Sequence, residues 1–152
     1  MKKLILLILF LPSFLFAVES KFLCRGEEIK SIKGVASSQR AYKKVIGIQV
    51  FKEGMRLDGE WFDNKNEFTD DYILKKSYLN TEDKIKGKRK FSTSSLIENT
   101  EIETIKNDKV EVNLINYNIL WKHEYSRIKI SGDIKEKIYE FKKDFEGICK
   151  RN

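Results

Sequence analysis

The chain contains a single histidine, and any test for catalysis or metal binding starts from that residue. His123-Glu124 matches the first half of the HExxH motif of zinc proteases, but Arg127 occupies the position of the second histidine. One imidazole and two thiols are too few ligands for the usual zinc sites. A Ser-His-Asp triad would also have to use His123, and the sequence does not indicate which serine or aspartate would lie beside it. We therefore expect no enzymatic activity, no metal and no cofactor.

A basic cluster is the second candidate site. It places five positive charges within seven residues around Gly87, namely Lys84, Lys86, Lys88, Arg89 and Lys90. The polar stretch 80–90 indicates an exposed loop. Because concentrated positive charge attracts anionic lipid and polyanionic glycan, the cluster predicts an anion-binding site. A solvated loop tip without a partner is the alternative.

Aromatic residues form the third candidate site. Apolar and aromatic side chains alternate from 117 to 125, which predicts a strand with these residues on one face. Together with a tryptophan from another strand, they would line the interior of a small-ligand carrier. The residues concerned are Trp61, Tyr117, Trp121, His123 and Tyr125. A filled barrel core is the alternative interpretation.

The two cysteines lie near opposite ends of the chain, in segments that mirror each other. Cys24 stands in Phe-x-Cys-x-Gly and Cys149 in Phe-x-Gly-x-Cys. Adjacent antiparallel first and last strands would bring the two sulfurs together, so we predict a structural disulfide. A reactive thiol pair is the alternative, although no CxxC motif is present.

Residues 1–17 have the organisation of a secretory signal peptide. Lys2 and Lys3 precede an apolar run that contains Pro12 and is too short to span a bilayer, with an uncleaved N-terminal anchor as the alternative. We expect cleavage after Ala17 and one β-rich domain, 18–152, located in the periplasm or outside the cell. No transmembrane segment is expected in the mature chain.

The clearest predicted element is a β-hairpin over residues 42–62. Alternating apolar residues flank Glu53-Gly54, which fits the turn of a tight hairpin. Folding the chain there pairs Val50 with Leu57 and places Trp61 on the core face. Gly59 then lies within a strand, where a neighbouring ring would pack against it.

The other segments predict further strands. Two strands, 97–105 and 110–114, are expected around a turn at Asn107-Asp108, and a bulge is expected near Ser126. Segments 68–79 and 134–146 fit either a helix or a strand. The pattern as a whole predicts a mainly β protein, a single antiparallel barrel or sandwich with at most one short helix.

The mirrored end motifs resemble those of a broad group of small, mostly uncharacterised, exported β-rich bacterial proteins. Ile128-x-Ile130-Ser131-Gly132 adds to this resemblance. Phe22-Leu23-Cys24 and the chain length are also similar to the periplasmic inhibitors of c-type lysozyme, which are small disulfide-bonded β-barrels. Asp133-Ile134 follows Ser131-Gly132 where those inhibitors carry a tyrosine-containing loop. The resemblance implies a β fold and export, with enzyme inhibition as a lesser alternative.

Charge and composition narrow the expected partners. The net charge is +7, or +5 once Lys2 and Lys3 are removed. Such a protein is attracted to anionic lipid, glycan or acidic protein, and nucleic acid is not expected outside the cytoplasm. With 41% hydrophobic and 12% aromatic residues, the chain is not of the disordered class. We predict an exported, non-enzymatic binding or structural domain that contacts anionic surfaces, with the carrier and the inhibitor as alternatives.

Overall fold

The computed structural model describes residues 18–33 and 40–152, so the predicted signal peptide lies outside the described residues. Ten strands make up most of this part of the chain. They are β1 Ser20–Ile32, β2 Arg40–Phe51, β3 Gly54–Leu57, β4 Glu60–Asp63, β5 Glu67–Phe68, β6 Ile73–Asn80, β7 Lys84–Ile97, β8 Thr100–Asn113, β9 Asn118–Ser131 and β10 Ile134–Arg151. No helix occurs in the described ranges, and hence none there with the length and hydropathy of a membrane span.

The strands form one antiparallel sheet in the order β4-β3-β2-β1-β10-β9-β8-β7-β6-β5. The sheet curls until β4 contacts β6 and β7, near the opposite edge. The Tyr78 hydroxyl on β6 donates a hydrogen bond of 3.1 Å to the Phe51 carbonyl oxygen on β2. This curled half-barrel confirms the predicted antiparallel β class, and segment 134–146 is part of a strand.

The hydrophobic core fills one end of the curl. Its buried members are Phe22, Cys24, Ile46, Ile48, Val50, Met55, Leu57, Phe62, Ile85, Val110, Val112, Ile119, Trp121, Phe145 and Cys149. A Cβ at Gly87 would lie 2.4 Å from Met55 Cε and 2.8 Å from Phe62 Cδ1. The missing side chain therefore lets β3 and β4 cover β7, and we call the sheet around this core the closed half.

The long strands continue beyond the core. Residues 29–32, 40–42, 90–106 and 124–142 extend the sheet where β3 and β4 no longer lie across it. We call this region the open half. Large apolar side chains are exposed there, including Leu96 at 73% and Ile134 at 71%.

The predicted disulfide is present between Cys24 and Cys149. The first and last strands are neighbours, and the register places Cys24 opposite Cys149 and Gly26 opposite Gly147. A Cβ at Gly26 would meet the Glu146 backbone, so the glycine pair allows the strands to approach closely beside the bridge. The mirrored motifs thus predicted the disulfide and the pairing of the first and last strands.

The predicted hairpin exists, but its turn and register were wrong. The turn is Lys52-Glu53, and Val50 pairs with Met55 instead of Leu57. This shift of two residues keeps Met55 and Leu57 on the core face, because strand side chains alternate with a period of two. Trp61 was also expected on the core face, and that prediction was wrong, because Trp61 pairs with Arg56 on the convex face. The chain then turns again at Asp58-Gly59, both with positive φ. Gly59 is therefore a turn residue, and no atom beyond its chain neighbours lies within 4 Å of where its Cβ would be.

Three further predictions were wrong. The expected loop 80–90 is mostly strand, since β7 begins at Lys84, and the expected turn at Asn107-Asp108 lies within the continuous strand β8. Asp108 is only 2% exposed because it has ionic partners on both neighbouring strands. The bulge expected near Ser126 lies instead on the partner strand, at Ile138, between Lys137 and Tyr139.

Candidate functional site

Strand β7 divides the predicted basic cluster between the two faces of the sheet. Strand side chains alternate, so Lys84, Lys86, Lys88 and Lys90 project from the convex face. Arg89 projects from the concave face, where it forms ion pairs with Glu60 and Asp108. The five residues therefore do not form one basic surface.

A different set of lysines meets on the convex face. Lys88 and Lys90 on β7 lie beside exposed lysines of β6, β8 and β9. We call these residues the lysine patch: Lys75, Lys88, Lys90, Lys109 and Lys122. Four of them, all except Lys122, line one shallow depression of the sheet, together with Arg89 and Asp108.

The strand register places these like charges directly opposite each other. Lys88 faces Lys109 across β7 and β8, and Lys109 faces Lys122 across β8 and β9. Lys75 faces Lys90 across β6 and β7. Directly opposed like charges on neighbouring strands destabilise a sheet, so this arrangement costs stability in the absence of an anion.

Ion pairing distinguishes the lysine patch from its neighbours on β7. Lys84 pairs with Asp83 at 3.8 Å, and Lys86 pairs with Glu111 at 2.8 Å. None of the five patch lysines forms an ion pair with another described residue, although Asp144 lies opposite Lys122 at the margin. Their positive charge is directed to solvent.

A layer of paired charges crosses the concave side above the core. Glu28 is buried and lies 3.1 Å from the ammonium groups of both Lys30 and Lys44. Burial raises the pKa of Glu28, but its hydrogen bonds and the lysine charges outweigh burial, so the pKa lies below its usual value. The Lys143 ammonium also faces Glu28, at 4.0 Å, and lies 4.5 Å from the centre of the Trp121 ring.

The same layer holds the single histidine. His123 Nδ1 lies 2.7 Å from Asp108 Oδ1, and Arg89 Nη2 lies 3.3 Å from Asp108 Oδ2. Burial raises the pKa of Asp108, but the hydrogen bond and charge of His123 and the charge of Arg89 outweigh burial and lower it. The carboxylate therefore orients an imidazole that is partly exposed on the concave side.

Aromatic rings cover the concave side of the open half. One row of paired positions contains Phe91, Lys106, Tyr125 and Phe141, on four successive strands of the sheet. The next row adds Tyr139, whose ring centre lies 5.7 Å from that of Tyr125. We call this surface the trough: Phe91, Lys106, Tyr125, Arg127, Tyr139 and Phe141.

The predicted aromatic site is only partly assembled. Trp121, His123 and Tyr125 share the concave face, with Trp121 buried in the core and Tyr125 partly exposed in the trough. Trp61 lies on the convex face, where its Nε1 donates to Asp63 and its ring packs on Phe51. Tyr117 lies in a turn with a φ of 57° and is 38% exposed. The structure thus separates Trp61 and Tyr117 from the other three.

Sequence reasoning missed Lys75, Lys109 and Lys122, because they come from three strands remote in the chain. The available signal was the alternation of lysines from 84 to 90, which is typical of a strand face and not of a loop. Within the described residues, no group of three or more His, Cys, Asp or Glu side chains is placed to hold a metal ion. No family model, curated protein or solved structure matches this chain.

Proposed function

We propose that this protein is an exported, non-enzymatic binding domain that contacts anionic surfaces through the lysine patch. The observation that carries the proposal is the opposition of Lys88, Lys109 and Lys122 on three adjacent strands, where none of them forms an ion pair with another described residue. An anionic partner would relieve the repulsion between them, so part of the cost of assembling the patch is recovered on binding.

Export is supported by the disulfide and by the leader-like sequence of 1–17. Disulfides persist in oxidising compartments, and Cys24–Cys149 joins two strands of the core. We place the mature protein in the periplasm or outside the cell, where anionic lipid head groups, acidic glycans and acidic proteins are accessible partners.

The test measures partition onto phosphatidylglycerol vesicles over a series of salt concentrations. Each lysine near an anionic surface contributes about 1 kcal/mol, so K88Q/K109Q/K122Q should weaken binding by about 100-fold. Binding of the wild type should also fall as salt screens the charges, and phosphatidylcholine vesicles should not bind.

The matched control is K21Q/K52Q/K150Q, which removes the same charge from exposed lysines elsewhere. This control should keep most of the wild-type binding. Equal losses in the two triple variants would show that net charge alone attracts the protein, and the proposed patch would be wrong. Absence of binding to both the vesicles and a soluble sulfated polyanion such as heparin would reject anion contact altogether.

A further inference from the structure

The trough is a second surface, on the opposite face of the sheet from the lysine patch. It combines partly exposed aromatic rings with two cations. Phe91, Tyr125 and Phe141 are half-buried and Tyr139 is 39% exposed, so each presents part of a ring to the concave side. Phe91 and Tyr125 lie two strands apart, a separation of about 10 Å. Tyr125 and Phe141 are direct cross-strand neighbours. The rings therefore follow one line across the strands.

The closed half explains why these rings are accessible. One row below Phe91, the ion pair between Arg89 and Glu60 ties β7 to β4. Further down, Met55 and Phe62 cover Gly87. Within the described residues, the cover by β3 and β4 ends at Glu60, where β4 begins, although Tyr72 packs on Phe91 with ring centres 5.5 Å apart. The rings above Glu60 are therefore partly exposed and not members of the filled core.

The charge of the trough differs from that of the layer below it. The cations of that layer have carboxylate partners, since Glu28 pairs with Lys44 and Asp108 with Arg89. In the trough, the Lys106 ammonium lies 5.6 Å from the Phe91 ring centre and 6.0 Å from that of Tyr125. Neither Lys106 nor Arg127 forms an ion pair with any described residue. The trough therefore favours a negatively charged occupant.

The geometry points to a linear acidic glycan, of the uronic acid type, as the ligand of the trough. A chain of uronic acids carries one ring and one carboxylate on each unit. The ring faces would stack on Phe91, Tyr125 and Phe141, while carboxylates would meet Lys106 and Arg127. A phosphate or lipid head group would use the cations but would not stack on the exposed parts of the rings.

The experiment titrates a hexameric oligogalacturonate into the disulfide-bonded protein by calorimetry. Neutral maltohexaose is the ligand control. Lys106→Gln and Tyr125→Leu should each weaken binding about tenfold, by removing one charge contact or one stacking surface. Tyr125→Phe keeps the ring and should bind within about twofold of the wild type, which separates stacking from loss of fold.

The convex variant K88Q/K109Q/K122Q makes this test independent of the proposed function. We expect it to bind the oligogalacturonate as the wild type does, provided that its melting temperature is unchanged. If that variant loses glycan binding while Lys106→Gln binds the glycan as the wild type does, the glycan binds the lysine patch and this inference is overturned. Equal affinity for maltohexaose, or no measurable binding of the acidic oligomer, would overturn it as well.

Discussion

The closed and open halves are built from the same strands, yet they differ in what lies on their concave side. In the closed half, β3 and β4 cover the sheet, and Phe62 and Phe145 are fully buried. In the open half, the same strands carry half-exposed rings and cations such as Lys106 that form no ion pair with another described residue. A sheet that extends past its own core keeps the rigidity of the covered half while it presents a side-chain surface to partners. We therefore expect that fold stability and the glycan binding proposed for the trough can be changed separately.

Removal of the disulfide should have the largest effect on the closed half. The bridge closes a loop with a sequence separation of 125 residues. In the chain-entropy model such a loop contributes about 4–5 kcal/mol, so C24S/C149S should lower the free energy of unfolding by about that amount. Urea denaturation of the oxidised protein and the variant measures the difference. A loss below about 1 kcal/mol would show that the core does not depend on the bridge.

Asp108→Asn tests the charged layer between the two halves. The substitution removes the negative charge between Arg89 and His123 and should cost about 3 kcal/mol at pH 7. Because the pKa of Asp108 is lowered in the folded protein, its carboxylate stabilises the fold above its ordinary pKa of 3.8, and this stabilisation is lost as the pH falls further. The difference between wild type and variant should therefore shrink below about pH 4.

Urea midpoints at pH 7 and pH 3 provide this comparison. Asp144→Asn on the convex face is the control, since Asp144 forms no ion pair with any described residue. A difference between wild type and Asp108→Asn that is the same at both pH values would contradict a stabilising charge at Asp108.

Gly87→Ala tests whether β3 and β4 pack closely on β7 in the closed half. The added Cβ would overlap Met55 and Phe62, so we expect a loss of about 1–3 kcal/mol. Gly47→Ala is the matched control on β2, because nothing lies within 4 Å of its added Cβ. Thermal denaturation should show a lower melting temperature for the first variant and an unchanged or slightly higher one for the second. Similar behaviour of both variants would mean that β3 and β4 do not pack on Gly87.

Tyr78→Phe should have the smallest effect, at the seam where the two edges of the curl meet. It removes the hydrogen bond to Phe51 and should cost about 1 kcal/mol at neutral pH. Burial raises the pKa of Tyr78 to about 12, from an ordinary value of 10.0. The neutral phenol therefore stabilises the fold below pH 10, and this contribution is lost as the pH rises from 10 to about 12.

Stability measured between pH 9 and pH 12 should fall less steeply in Tyr78→Phe than in the wild type. Tyr42→Phe is a suitable control, since Tyr42 is 45% exposed and lies in the open half. If the stability of wild type and Tyr78→Phe falls equally between pH 9 and pH 12, a group other than Tyr78 causes the alkaline loss of stability.

The sequence was most informative where side-chain period and chemistry agree. Phe22-x-Cys24-x-Gly26 predicted the pairing of the first and last strands, because only neighbouring strands bring the two sulfurs together. The hairpin register could not be predicted, since a shift of two residues keeps Val50 and Leu57 on the same face. Hydrophobic alternation shows which side chains share a face of the strand, but it does not distinguish registers that differ by two residues.

In two regions, polar residues within strands resemble loop or turn sequence. Lys84 to Lys90 resembles a loop in composition, although Ile85 and Gly87 are buried. Asp108 resembles a turn residue, although it is buried by ionic partners from β7 and β9. The lysine patch depends on the register of four strands, which composition and local pattern do not determine.

Contact between the lysine patch and an anionic surface can be measured directly by NMR at each lysine. Reductive methylation with ¹³C keeps the charge and gives a separate NMR signal for each lysine. On addition of bicelles that contain phosphatidylglycerol, the signals of Lys88, Lys109 and Lys122 should shift first and most. Largest shifts at Lys21, Lys52 and Lys150, or uniform shifts at all lysines, would contradict contact through the lysine patch.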